Sequence, residues 1–123
     1  TVTAAKNEQV GEMKFKSIYP HYLNRITKHG RTKEELDKVI LWLTGYDQDV
    51  LESFITGEGS FKEFFDGATL HENADMIKGV VCGYRIEEIA EEFALYRDCR
   101  RMEKLIDELA KGRKMEKILR EAK

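Results

Sequence analysis

The chain predicts an all-α fold, a compact and mainly orthogonal bundle of six or seven short helices with one longer C-terminal helix. Helix periodicity runs almost unbroken over residues 84–123, where Leu95, Cys99, Met102, Ile106 and Leu109 recur every three or four residues with Arg, Lys, Glu and Asp between them. A single Pro in 123 residues favours helices over a loop-rich β architecture. Stop and start signals alternate along the first half, with Gly30, Gly45, Gly57 and Gly67 each closing an apolar stripe.

Residues 1–12 are polar and read as a flexible N-terminal leader ahead of a single helical domain over residues 13–123. Ile18, Tyr22 and Ile26, with Tyr19 and Leu23 beside them, form the first stripe, ending at Gly30. Thr32 and Glu35 make a capping box, in which the hydroxyl serves orphan amides and the carboxylate reaches back. The helix it opens carries Leu36, Val39, Ile40 and Leu43, and Leu41 and Trp42 widen that face into one expected to be central. Asp47 caps a helix containing Val50, Leu51, Phe54 and Ile55. Ser60 and Glu63 form a second capping box, before Phe61, Phe64 and Phe65.

Asn73 is the expected cap of the next helix, with Met76, Ile77, Val80 and Val81 facing inward. Gly79 and Gly83 weaken that reading, and the β-branched run 79–82 also suits a short extended piece. After Tyr84 the stripe Ile86, Ile89, Phe93, Tyr96 slips by one residue against Leu95, Cys99, Met102. The slip places a break at 92–96, separating a short helix from a longer one that ends near Gly112. Met115, Ile118 and Leu119 predict a last short helix packing back.

Charged residues make up 36% and apolar residues 41% of the chain, which marks a globular protein rather than a disordered one. The net charge of −2 argues against a protein that coats nucleic acid. The longest apolar run, residues 39–43, is far short of the ~20 residues of a membrane span, so no membrane partner is expected. Cys82 and Cys99 are too few for a disulfide scaffold and read as buried, reduced thiols, in keeping with a cytoplasmic location.

Motifs for chemistry are sparse. His21, His29 and His71 form no HExxH and join neither cysteine at a ligand spacing, so no metal site is expected. No GxSxG is present, and Gly79-x-x-x-Gly83 lacks the residues of a phosphate loop or a dinucleotide site, so no catalytic residue, cofactor or small molecule is named. Arg85, one helical turn beyond Cys82, is that thiol's basic neighbour. A groove beside Trp42, Tyr46 and Tyr84 is the candidate contact surface. Convergence of Tyr19, His21, Cys82 and Arg85 on one pocket is what a small enzyme or small-ligand protein would require.

The run G-Y-R-I-E-E-I-A-E-E-F-A-L from Gly83 is similar to the first helix and turn of a helix-turn-helix, which would put Arg97, Arg100, Arg101 and Lys104 on a recognition helix. The second half does not fit, because its inward positions are Arg100 and Arg101 while the apolar stripe follows Cys99, Met102 and Ile106. No specific nucleic acid is therefore expected. Charge is segregated: residues 47–75 hold eight acids against Lys62, and residues 111–123 hold six bases against Glu116 and Glu121. These regions suggest self-association or a protein partner, with Phe61, Phe64 and Phe65, on a helix too short to bury three rings, as its apolar centre.

Four blocks in order, K-F-K-S-I-Y-P-H-Y (14–22), G-R-T-K-E-E-L-D-K-V-I-L-W-L-T-G-Y (30–46), G-V-V-C-G-Y-R-I-E-E-I (79–89) and L-I-D-E-L-A-K-G-R-K-M-E-K-I-L-R (105–120), resemble an uncharacterised bacterial family, domain of unknown function 2200. The resemblance implies a small all-α bundle in a bacterial cytoplasm. It brings no activity, cofactor or catalytic residue. Related sequences tend to carry a proline-containing loop after the E-E-I block, where this chain has Ala90 to Ala94 without Pro. The functional expectation is a small interaction or binding domain, with an enzyme or small-ligand protein and a helix-turn-helix regulator as alternatives.

Overall fold

The computed structural model describes residues 1–120; residues 121–123, the end of the basic stretch and of the 13–123 domain, lie outside the described residues. Seven α-helices are described: α1 (Ala4–Glu12), α2 (Phe15–Thr27), α3 (Lys33–Thr44), α4 (Gln48–Thr56), α5 (Phe61–Asp66), α6 (Ala94–Ala110) and α7 (Met115–Ile118). Between α5 and α6 lie a two-stranded antiparallel hairpin, β1 (Val80–Val81) and β2 (Tyr84–Arg85), and three single 3-10 turns. The class is all-α, and α6 is the longest element. It packs against α1, α2, α3, α5, α7 and the hairpin.

Local signals place the first helices where the sequence puts them. Thr32 and Ser60 accept from the amides of Glu35 and Glu63, whose carboxylates return the bond, so both capping boxes are formed. Asp47 caps α4 through the Val50 amide at 2.9 Å. α3 ends on Gly45 at φ 74°, where a Cβ would stand 2.8 Å from the Thr69 carbonyl oxygen. Only glycine meets both demands.

The core is aromatic at one end. Phe15 stacks on Phe64 at 4.4 Å between centroids and lies 5.5 Å from Phe61. Phe61, Phe64 and Phe65 are all buried, Phe65 at 8% exposure, contrary to the expectation that α5 is too short to hide them. A helix of six residues can hide three rings here because α2 begins beside it. The Phe15 amide donates to Gly59 and the Phe61 amide donates to Met13, at 3.0 and 2.8 Å, which pins the two helix starts together.

Three further expectations are corrected. Residues 4–12, read as leader, form a helix against α5 and α6. Gly11 makes this approach possible, since a Cβ there would stand 2.7 Å from Leu95 Cδ2. The helix expected after Asn73 is a 3-10 turn, Ala74–Met76, followed by the hairpin, so Ile77 and Val81 are buried while Met76 and Val80 are exposed. The stretch expected as a short helix after Tyr84 is β2 and two 3-10 turns, Ile86–Glu88 and Glu91–Phe93. The break is real, and α6 starts at Ala94. The first helix of a helix-turn-helix is consequently missing.

A buried carboxylate ties three helices. Asp37 on α3 is 4% exposed and accepts from the Tyr19 hydroxyl of α2, from Lys33 Nζ at 2.6 Å and from Gln48 Nε2 of α4 at 2.9 Å. Burial, then Asp37, raises the Tyr19 hydroxyl far above its usual value, and burial raises Tyr22 likewise. Folded Tyr22 stays protonated where its unfolded counterpart ionises. This stabilisation is present below about pH 10 and is lost as pH climbs towards the folded value. Urea midpoints are expected to fall above about pH 10, less steeply in Tyr22→Phe; an unchanged slope in that variant would count against the assignment.

Trp42 is 9% exposed and stacks on His71 at 4.2 Å and 19°. Trp42→Ala is expected to cost about 3–5 kcal/mol in urea melts, and a loss under about 1 kcal/mol would make Trp42 a surface residue.

Candidate functional site

The 80–85 hairpin is built by its turn. Cys82 and Gly83 have φ of 51° and 82°, the pair of positive angles that a two-residue type I′ turn demands. Val81 faces Tyr84 and Val80 faces Arg85 across the ladder, and the Ile86 amide donates to the Gly79 carbonyl at 2.9 Å. That alternation turns the Arg85 amide outward, and among the described residues it has no acceptor. Asn is the residue such a turn prefers at its first central position, and a non-glycine residue there carries strain of about 1–2 kcal/mol.

Beneath Tyr84 lies a chain of donors. Lys6 Nζ on α1 donates to the Tyr84 hydroxyl oxygen at 2.9 Å and to the Thr1 carbonyl at 3.2 Å. Arg100 Nη2 donates to the Tyr96 oxygen at 2.7 Å, and its guanidinium lies 4.7 Å from the Tyr96 ring and 5.7 Å from the Tyr84 ring. The two rings meet edge to face at 5.4 Å. Lys6, which donates to its oxygen, and then the neighbouring Tyr96 hydroxyl lower the Tyr84 hydroxyl below the usual tyrosine value. Burial raises Tyr96. Burial works against the Arg100 charge, but Tyr96 and Glu103 more than offset it.

Tyr84 and Arg85 open onto a cleft of about 370 Å³, also lined by Thr1, Val2, Glu88, Ile89 and Phe93. Of its lining residues Ile89 is buried, Val2 and Phe93 are half-buried, and the charged Arg85 and Glu88 are exposed. Arg85 approaches Glu87 and Glu88 only to 4.0 Å, outside hydrogen-bond range, so its guanidinium is lightly held. Cys82 is exposed, not buried as expected, and its sulfur lies 3.8 Å from Glu103 Oε2. Partial burial, then Glu103, raises the Cys82 thiol, and burial pushes the Cys99 thiol up to about 12. Neither is an activated thiolate.

Of the residues singled out in the sequence, the structure places Cys82, Tyr84 and Arg85 together on the hairpin. Tyr84 and Arg85 line the cleft, whereas Cys82 and the other four do not. Tyr19 is buried on Asp37, and His21 is exposed on α2. Trp42 stacks on His71, and Tyr46 donates to the Phe64 carbonyl beside Phe54. Lys6 and Tyr96 were missed and Arg100 was weighed only for a recognition helix, although the four-residue spacing of Tyr96 and Arg100 on one helix was a readable signal. Among the described residues no group of three or more His, Cys, Asp or Glu is placed to hold a metal ion.

The model of a family described as an uncharacterized protein conserved in bacteria, DUF2200, matches residues 9–120. The chain belongs to this family. A similar solved structure is that of the uncharacterized streptococcal protein SP1917, with 31% identity, 91% of each chain covered and a TM-score of 0.84. No curated protein matches the chain. Membership thus fixes kinship and fold, and it brings no assigned activity.

The strain at Cys82 is directly testable. Cys82→Asn is expected to stabilise the protein by about 1 kcal/mol in urea melts, since Asn suits the turn and the sulfur makes one weak contact. A destabilisation of similar size would show that the thiol contributes packing the turn cannot do without.

Proposed function

We propose that this DUF2200 member is a small cytoplasmic binding domain that engages a protein partner through the hairpin cleft. The observation that carries the reading is Arg85. It stands on the cleft rim, half-exposed, with a guanidinium only loosely paired and an outward amide without an acceptor among the described residues. Donors left in that state beside Ile89 and Phe93 suit a ligand that brings both oxygen atoms and an apolar group. A location in aqueous surroundings is consistent with the described helices, none of which is long and apolar enough to cross a membrane.

Association through the acidic 47–75 and basic 111–123 regions is a weaker proposal, because the phenylalanines meant to supply its apolar centre are inside the core. A catalytic reading has less support, since Tyr19 and His21 do not join Cys82 and Arg85. Binding is tested by affinity capture with the wild type and with Arg85→Glu, followed by titration of the captured protein in purified form. The charge reversal is expected to weaken binding at least tenfold while leaving the circular dichroism of the domain unchanged. Equal affinity of the two forms would remove the cleft from the function.

A further inference from the structure

The bundle gathers positive charge at one end. Arg31 Nη2, from the α2–α3 turn, donates to the Arg113 carbonyl of the α6–α7 turn at 2.9 Å, which stitches the two turns together. Beside them Asp107 of α6 pairs with Arg25 of α2 and with Lys111. Lys28, Arg113, Lys114 and Lys117 complete the surface; all are exposed, and none is ion-paired among the described residues. Helix ends account for part of this set. Lys28 and Lys111 are the C-caps of α2 and α6, where a cation suits the dipole. Lys114 is the N-cap of α7, where a cation does not, and Arg113 precedes it at the same end. Folding asks for no positive charge at those two positions. The net charge of the chain is −2, so the positive charge here is a local excess rather than a general one.

The make-up of this surface selects its partner. Its unpaired cations are lysines apart from Arg113, and lysine is a compact point charge that suits phosphate, whereas paired recognition of carboxylates favours the arginine fork. Protein interfaces are poor in lysine and need an apolar centre. Among the described residues the exposed large apolar side chains are Met13, Val50, Met76 and Val80, all outside both turns. The same lack leaves nothing to insert into a membrane, where charge is one of the two signals that stable anchoring takes. Residues 28–32 and 111–117 contain no Phe, Tyr or Trp on which an unpaired base could stack. A duplex needs none of these, because its phosphates are held by lysines without base contacts. We propose that this basic end binds the phosphate backbone of duplex nucleic acid without sequence preference. A recognition helix plays no part, since Arg97, Arg100 and Arg101 are drawn into bonds with Glu91, Glu103 and Asp98. None of the cations of this surface lines the hairpin cleft, so the proposal stands apart from the binding reading given above.

The probe is a fluorescein-labelled DNA duplex of mixed sequence, titrated with the full chain by fluorescence polarisation. Between about 50 and about 200 mM salt its affinity is expected to fall about 100-fold, the loss that roughly four phosphate contacts give. Lys28→Gln and Lys114→Gln, one from each turn, should each make the slope of log affinity against log salt shallower by about 0.9. Lys28→Glu combined with Lys114→Glu should weaken binding at least tenfold. Lys38→Glu combined with Lys78→Glu makes the same change in net charge at exposed lysines elsewhere and should weaken it less than threefold. Circular dichroism checks that both pairs are folded, and the two Gln variants decide the matter if the first pair is not. The proposal is overturned if the duplex does not bind at the lower salt, if both pairs weaken it equally, or if the Gln variants leave the slope unchanged. Phosphatidylserine vesicles and a polyglutamate chain are the competing anions. Tighter binding to either than to the duplex would make the occupant a membrane or an acidic protein and would overturn it as well.

Discussion

Short helices cannot stand alone in water, and that constraint governs this molecule. Isolated helices under roughly 12–15 residues are marginal, and α1, α4 and α5 have nine, nine and six residues. Each persists only by laying its apolar face on a neighbour: α1 on α5 and α6, α4 on α2 and α3, and α5 on α1 and α6. Met102, Leu105, Ile106 and Leu109 on α6 are wholly buried, so the helix is covered over a wide arc rather than along one stripe. The two carboxylates that α6 buries, Asp107 and Glu108, are paired. Glu108 receives Arg120 through both guanidinium nitrogens, at 2.8 and 2.9 Å, and Asp107 is held by Arg25 and Lys111. Asp37 plays the same part for α2, α3 and α4. Carboxylates at such depth are tolerated only with partners in place, so each also fixes how its helices are set.

The hairpin is the part of the chain that this packing does not dominate. It hangs on α6 through Val81, through Lys104 donating to the Val80 carbonyl at 3.3 Å, and through the Tyr84, Tyr96 and Arg100 cluster. An isolated two-stranded ribbon is marginal in water, which is why its inner face needs the helix. Its outer edge leaves the Arg85 amide without an acceptor among the described residues, and the cleft forms where that edge meets Thr1 and Val2. The strain at Cys82 sits at the same turn. Strain in a protein accumulates where geometry matters more than stability, and here the geometry is the presentation of Tyr84 and Arg85.

Much of the helical half was legible because its signals are local. Capping boxes at Thr32 and Ser60, the Asp47 cap and the Gly45 stop each act within one turn, and all four are formed. The one-residue slip between Phe93 and Leu95 likewise marked the break before α6. Two stretches defeated the same reasoning. Residues 4–12 have no apolar stripe, and their docking depends on the missing side chain of Gly11 meeting Leu95, a partner 84 positions away. Residues 74–93 carry apolar residues at spacings that suit helix and strand alike, and the decision falls to Gly79, Cys82 and Gly83, whose positive φ angles no helix accepts.

The candidate site divides along the same line. By itself the sequence determined the class, the caps of α3, α4 and α5, the positions of α2 to α6 and the nearness of Cys82, Tyr84 and Arg85, because all of these depend on neighbours within a few residues. Only the tertiary structure decided that Tyr46 turns to the Phe64 carbonyl, that Asp37 is a buried tie, and that Lys6 reaches Tyr84 across 78 positions of chain. These outcomes are set by which helix faces meet. Periodicity reports that a face is apolar, and it carries no information about which distant residue will cover it.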